Sequence, residues 1–147
     1  MRSPENEAVV LGMWADYDRE GLTGILAWAA ADAEWRPYSS HQSVFRSTAA
    51  YREYVEQTTA EGVAVDSIRL GIWSQGDVVA VRGRLRVRQG GIVDDSRMYW
   101  VHRVRDGKVR WTASSPDLGH LLAAAGLPGR GITSEAFIAM HGDKPPG

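Results

Sequence analysis

The stretch that decides the fold is residues 81–88, VRGRLRVR, in which arginine occupies every second position. Successive side chains of a β-strand point to opposite faces. One face therefore carries the four arginines: Arg82, Arg84, Arg86 and Arg88. The other face carries Val81, Gly83, Leu85 and Val87. The pattern predicts a strand with one charged face and one apolar face.

The arginine face has two interpretations, a strip that binds nucleic acid or a solvated sheet face. Residues 1–66 carry eleven acids against five arginines, whereas residues 67–110 carry ten bases against four acids. Such asymmetry can mark nucleic-acid binding. Alternating arginines are also what a hydrated, ion-paired face needs, and Asp94 and Asp95 are available to neutralise them. We favour the second interpretation and expect no nucleic-acid partner.

Size and composition limit the classes of protein that need to be considered. The 147 residues suit one domain with a single core. The absence of cysteine excludes disulfides, thiolate metal sites and cysteine catalysis. No apolar run is long enough to span a bilayer, so we expect a cytoplasmic protein with no membrane partner. The sequence contains no recognisable metal or nucleotide motif, and we expect no cofactor.

Helical periodicity dominates the first sixty residues. Apolar and aromatic residues recur at helical spacing in residues 6–19, and Gly21 ends this helix. A second helix is predicted for residues 22–31, followed by a short extended segment around Trp35. A third helix runs from a cap at Ser47 or Thr48 to residue 60.

Strand periodicity takes over from residue 63. Four strands are predicted at residues 63–73, 78–89, 96–105 and 108–115, joined by tight turns that contain glycine. Ser115 as N-cap and Pro116 at the first helical position predict a short C-terminal helix that Gly126 ends. We assign residues 1–127 to the domain and residues 128–147 to a tail that is either flexible or docked through its apolar residues 136–140.

The two segments DREGLTGILAWAAADAEWRP and VRDGKVRWTASSPD, at this separation and in this order of elements, resemble the SnoaL-like branch of the nuclear-transport-factor-2-like superfamily. The resemblance covers about residues 6–127. It implies an α+β, cone-shaped fold: three N-terminal helices packed on a curved, mostly antiparallel sheet, with a short C-terminal helix. This family contains cyclases, isomerases, epoxide hydrolases, dehydratases and binding proteins, so the fold does not decide the function.

Three catalytic residue sets known in that superfamily are not preserved at the matching positions. The steroid isomerase tyrosine and base correspond to Met13 and Pro37, and its acid to Val101 or Trp100. The epoxide hydrolase residues correspond to Gly83, Leu85 and Ser114. The histidine of some polyketide cyclases corresponds to Thr112. The chain therefore lacks a close copy of each site.

The same comparison implies which strand faces line the cone. Gly83 and Leu85 would lie inside, with the arginines outside. In the last hairpin, a two-residue turn at Asp106-Gly107 pairs His102 with Trp111. On this pairing, Tyr99, Val101, Thr112 and Ser114 face the cavity. The opposite face becomes an outward apolar patch of Met98, Trp100, His102, Val104, Val109 and Trp111, which predicts a homodimer.

An apolar, largely aromatic pocket follows from these assignments and suits a small hydrophobic molecule. Aromatic residues at helical spacing are also common in ordinary cores, and this alternative stays open. The predicted ligand-binding residues are Trp14, Tyr17, Trp35, Phe45, Arg46, Tyr54, Gly83, Leu85, Val101 and Ser114. The predicted acid and base are His41, which precedes the third helix, and a tyrosine, Tyr38 or Tyr99.

Two functions are consistent with this pocket. The first is a hydrophobic ligand-binding protein that acts as a cofactor-free cyclase, isomerase or dehydratase on a polyketide-, terpenoid- or steroid-like substrate. The second is a non-catalytic ligand-binding or dimerisation module. The aromatic lining with few polar groups makes the first our leading hypothesis, and the loss of all three known catalytic sets is the observation that supports the alternative.

Overall fold

The computed structural model describes residues 1–38, 43–128 and 132–140. Within these ranges the chain forms four α-helices and six strands. The helices are α1 (Pro4–Glu20), α2 (Leu22–Leu26), α3 (Thr48–Ala60) and α4 (Leu118–Ala124). The strands are β1 (Ala29–Arg36), β2 (Ala64–Gln75), β3 (Val78–Gln89), β4 (Ile92–Arg105), β5 (Lys108–Ser115) and β6 (Ile138–Ala139).

The N-terminal helices begin and end at local signals. The Ser3 hydroxyl caps α1 by accepting a hydrogen bond from the amide of Asn6, and Gly21 ends the helix with φ of 77°. The prediction that the second helix reaches residue 31 is wrong, because the chain becomes β1 from Ala29 onward and pairs in parallel with β5. Two helices therefore precede the first strand, and α3 follows it, in place of three consecutive helices.

The six strands form one sheet in the order β1-β5-β4-β3-β2-β6. Only the β1–β5 pair is parallel among the described strands. The long strands β2 to β5 form the antiparallel meander that the alternating sequence predicts, with boundaries within a few residues of the expected ones. The mixed α+β class is therefore confirmed.

The strand of the opening motif has the predicted two sides. We call the sheet face that packs against α1 and α3 the inner face, and the opposite one the outer face. Val81 and Leu85 belong to the core that α1 completes. The arginines lie on the outer face, where Arg84, Arg86 and Arg88 are exposed. The sequence alternation therefore separated the two faces of β3 correctly, and the resemblance assigned the apolar one to the inside correctly.

The outer face is partly covered by the C-terminal elements. Leu121 and Leu122 of α4 pack on Ala80 and Val101 in a second apolar cluster. Asp117 caps α4 by accepting from the amide of His120, so the predicted cap at Ser115 is displaced by two residues. Ser115 instead accepts a hydrogen bond from the Asp117 amide at 3.0 Å.

Residues 132–140 continue across the outer face to the edge of β2. Phe137 is buried in the outer-face cluster, and β6 pairs with β2 at Gly71 and Ile72. A side chain at Gly71 would place its Cβ 2.8 Å from the Cβ of Phe137. Glycine at this position therefore leaves the space in which the tail segment sits.

The register of the last hairpin differs from the prediction. A β-bulge at Arg110 shifts the pairing, so that Thr112, and not Trp111, lies opposite His102. Met98, Trp100 and Val104 consequently belong to the inner core, whereas Val101 belongs to the outer cluster. The expected outward patch is mostly buried inside the chain. The surface on which we based the homodimer prediction does not exist, and the homodimer itself stays a prediction.

Gly83 has a steric role at the centre of the sheet. The pairing of β2 with β3 is irregular between Arg69 and Gly71, and this irregularity brings the backbone of β2 over Gly83. A Cβ at position 83 would lie 1.9 Å from the carbonyl oxygen of Ile68. Backbone cannot yield as a flexible side chain does, so a larger residue would distort the strand pairing.

We expect Gly83→Ala to lower the free energy of unfolding by roughly 2–3 kcal/mol, because overpacking against backbone is not relieved by rotamer changes. Arg84→Ala, one residue along on the exposed outer face, is the control and should cost about 0.5 kcal/mol or less. Urea unfolding followed by circular dichroism measures both values. Equal stability of Gly83→Ala and wild type would refute the steric role.

Candidate functional site

A cleft of about 830 Å³ lies between the inner face and the segment that follows β1. The bed of this cleft is apolar: Pro37, Val44, Leu85, Val87 and Met98. Leu85 pairs with Ser96, and Val87 with Asp94, across the β3–β4 hairpin, so the two strands contribute alternating positions to the same wall. The cleft extends past the end of β5 to Ala113, Leu121 and Ala124.

Polar groups form the rim of the cleft. They are Arg36, Tyr38, Asp94, Ser96, Ser114, Ser115, Asp117 and His120. The Ser114 hydroxyl accepts a hydrogen bond from the backbone amide of Tyr38 at 2.8 Å, which ties the post-β1 segment to β5. Tyr38 itself is 54% exposed. The cleft thus joins an apolar bed to hydroxyl, carboxylate and imidazole groups.

Asp94 and Asp95 are neighbours on β4 whose side chains lie on opposite faces of the sheet. Asp95 lies on the outer face, where Arg84 and Arg86 bind its carboxylate at 3.0 and 3.2 Å. Hydrogen bonds from Arg86 and then Arg84 lower the pKa of the Asp95 carboxyl below its ordinary value. Asp94 lies at the cleft, and within the described part of the chain no basic side chain forms an ion pair with it. Asp94 is therefore available to a ligand.

In the core, the space that was predicted as an aromatic pocket is filled by side chains. Trp14 is 4% exposed and meets Trp100 edge-on, with ring centroids 5.3 Å apart. Tyr17 packs against Trp14 at 5.2 Å and donates its hydroxyl to the carbonyl of Val65. Trp14 and Tyr17 are therefore core residues, and they do not line the cleft.

The guanidinium of Arg69 completes this packing, and the sequence analysis missed it. Arg69 is 4% exposed, and its Cζ lies 4.9 Å from the Trp14 ring and 5.1 Å from the Tyr17 ring. It binds Ser67 and forms an ion pair with Asp18. A regular pairing of β2 with β3 would place Leu70 opposite Gly83, and only the irregularity between Arg69 and Gly71 brings Arg69 to that position, so alternation alone did not predict the buried guanidinium.

His102 is buried on the inner face of β4. Its Nδ1 lies 3.0 Å from the Thr112 hydroxyl, and its Nε2 has no hydrogen-bond partner among the described residues. Burial lowers the pKa of His102 to about 3. The imidazole is therefore neutral near pH 7, and it is 1% exposed and does not line the cleft.

A second aromatic group packs between β1 and α3. Trp35 stacks on Tyr51 at 4.5 Å and donates its indole N–H to Thr48, which in turn donates to the carbonyl of Ala30. Phe45 contacts Tyr54 at 4.8 Å and pairs with Trp35 through the backbone. Trp35, Phe45 and Tyr54, predicted as ligand-binding residues, therefore belong to the core or pack against it, and none of them lines the cleft.

The structure brings three of the predicted site residues to the cleft, namely Tyr38, Leu85 and Ser114. Tyr99 and Val101 face the outer side, where Tyr99 contacts Phe137, so they are corrected to outer-face residues. Arg46 points to solvent and binds Glu34. Gly83 lies on the inner face without reaching the cleft, and His41 lies outside the described residues.

The described ranges contain neither a metal-binding cluster nor a helix able to span a membrane. No group of three His, Asp or Glu side chains there is arranged to hold a metal ion. None of the helices in those ranges is long and apolar enough to cross a membrane.

Comparison with known proteins gives the family. The sequence profile of the SnoaL-like domain matches residues 10–112. The chain belongs to the SnoaL-like family. None of the curated proteins matches this SnoaL-like chain.

Solved structures share the fold of this SnoaL-like protein at low sequence identity. An NTF2-like protein of unknown function from Burkholderia pseudomallei superposes with a TM-score of 0.68 at 16% identity, covering 82% of this chain and 97% of its own. TerC, crystallised with polyporic acid, gives 0.67 at 20%, covering 86% and 99%. A proposed polyketide cyclase from Xanthomonas campestris gives 0.64 at 13%, covering 81% and 95%.

The buried imidazole makes stability depend on pH. The folded-state pKa of about 3 for His102 lies below the unfolded value of about 6.5, so between these values the unfolded chain binds a proton that the native SnoaL-like protein excludes. The effect is absent above pH 6.5 and destabilises the protein increasingly as the pH falls. We expect the His102 ring signals in NMR spectra to stay constant from pH 8 to pH 5. The chain unfolded in guanidinium is the control, and an equal titration in both states would contradict the assignment.

Proposed function

We propose that this SnoaL-like protein binds a small, mainly apolar molecule that carries a carbonyl or hydroxyl group. The single observation that carries the proposal is the cleft, in which an apolar bed meets a rim of polar groups. Burying apolar ligand surface supplies the affinity, and a few rim groups orient the polar end. TerC, which shares the fold and was co-crystallised with polyporic acid, supports a small organic molecule as the ligand.

Leu85 is the residue through which we test binding. It sits at the centre of the bed, so a carboxylate introduced there would lie against the apolar part of the ligand. We expect the wild type to bind 4-butylphenol saturably, and Leu85→Glu to weaken binding at least tenfold, ~1.4 kcal/mol, in isothermal titration calorimetry.

Arg84→Glu is the matched control, because it adds the same side chain to the next residue but on the outer face. It should leave the affinity within about twofold, which corresponds to less than 0.5 kcal/mol. A wild type that binds no 4-butylphenol, or equal weakening by both substitutions, would refute ligand binding in the cleft.

A second candidate function is cofactor-free acid–base catalysis: cyclisation, isomerisation or dehydration of a polyketide-, terpenoid- or steroid-like compound. The observation that favours it is the presence of Asp94 and Tyr38 at one rim. A carboxylate can remove a proton next to a carbonyl, and a phenol can donate a hydrogen bond to the enolate oxygen. His41, outside the described residues, stays a predicted partner in this chemistry. The alternative is a module that binds without catalysis.

Proton exchange separates the two alternatives without knowledge of the natural substrate. The flat ketone 2-tetralone exchanges its α-protons in D₂O, and a catalyst should accelerate this exchange measured by NMR. We expect Asp94→Asn to reduce the acceleration by about 10²-fold or more, the usual contribution of a general base.

The control is Asp95→Asn, which changes the neighbouring carboxylate on the outer face. It should retain the wild-type rate, whereas Tyr38→Phe and His41→Ala should each lower it. Ligand binding without any acceleration by the wild type would identify the protein as a non-catalytic binding module.

A further inference from the structure

The inner side chains of β4 form a row that runs from the cleft into the core of the protein. The row comprises Ser96, Met98, Trp100 and His102, with successive members roughly 6.8 Å apart along the strand. Ser96 and Met98 line the cleft, whereas His102 is 1% exposed. Trp100 is therefore the side chain at which the cleft ends and the solid core begins.

Cross-strand pairing supports the same position for Trp100. Its partner on β5 is Ser114, and Ser114 lines the cleft. Trp100 is 7% exposed and packs edge-on against Trp14. The two indoles together fill the space next to the apolar bed of the cleft. No other described residue of the β4 inner row lies between Met98 and His102.

Two buried polar atoms behind Trp100 have no hydrogen-bond partner within the described residues. The indole Nε1 of Trp14 and the Nε2 of His102 are buried, and neither has a hydrogen-bond partner in the described residues. The two rings are neighbours, with centroids 6.1 Å apart. Buried polar atoms are normally hydrogen-bonded, so a ligand that reached these two atoms would find unused hydrogen-bonding capacity. Trp100 keeps a ligand from reaching them.

We propose that Trp100 is a specificity-determining residue that ends the ligand-binding cleft and sets the greatest length of the apolar ligand. This inference rests on the proposed function, because it assigns a length limit to the ligand of that same cleft. A ligand lies with its apolar part on Leu85 and Met98 and stops at the indole. A smaller residue at position 100 would extend the cleft toward Trp14 and His102.

A series of 4-alkylphenols with increasing chain length measures the limit. For the wild type, affinity should rise about fourfold with each methylene, the increment expected for apolar burial, and then stop rising when the chain reaches Trp100. In Trp100→Ala the break should move to longer chains, by up to ~6.8 Å, one step of the inner row. Trp100→Phe, which retains an aromatic ring and more of the packing, should shift the break by a smaller amount and serves if the alanine variant does not fold.

Trp73→Ala is the control for loss of a large side chain, because Trp73 packs on the outer face. It should lower stability and leave the break unchanged. A second readout is the NMR titration of His102, which should appear between pH 5 and pH 8 only when position 100 is shortened.

The possible results distinguish the two proposals. Binding of short alkylphenols by the wild type with an unmoved break in both Trp100 variants would overturn the length limit alone. No binding of any alkylphenol by the wild type would overturn the proposed function and the length limit with it.

Discussion

The pairing of β3 with β4 is the constraint on which the arrangement depends. It runs without interruption from Val78 opposite Arg103 to Gln89 opposite Ile92. A slip of one residue would turn the arginines of β3 into the core and the valines into water, so this register is strongly enforced. It also places Leu85 beside Ser96 and Gly83 beside Met98, which creates the bed of the cleft and the row that leads to Trp100.

Much of this register could be predicted from the sequence. Alternation in residues 81–88 gave the two faces, and a two-residue turn at Gly90-Gly91 places Met98 on the same face as Gly83. We placed Met98 outside because the last hairpin was counted from Asp106-Gly107 without the bulge at Arg110. The turn at Gly90-Gly91 places Met98 inside, whereas the turn at Asp106-Gly107, combined with the resemblance that places Thr112 and Ser114 inside, places Met98 outside. This conflict was the sign of a bulge.

The candidate site was less predictable, because residue type does not distinguish a side chain that lines a cavity from one that fills it. Trp14, Tyr17 and Trp35 are inside as expected, yet neighbours close around them. Whether an aromatic ring lines a cavity depends on the group that packs against it. For Trp14 that group is Arg69, and residue type alone would place an arginine on the surface. The polar rim depends on the ends of β1, β4 and β5 meeting, which is a property of sheet order.

The opposite orientation of neighbouring residues on β3 and β4 has a consequence for how this chain can vary. Residues 84 and 85, or 94 and 95, are covalent neighbours but belong to separate environments, one hydrated and one facing the cleft. Substitutions at every second residue can therefore change the surface charge, in evolution or by engineering, without changing the residues that line the cleft. Substitutions at the remaining positions can change the ligand preference with little effect on solubility. Selection can therefore adjust solubility and ligand preference independently on the same two strands.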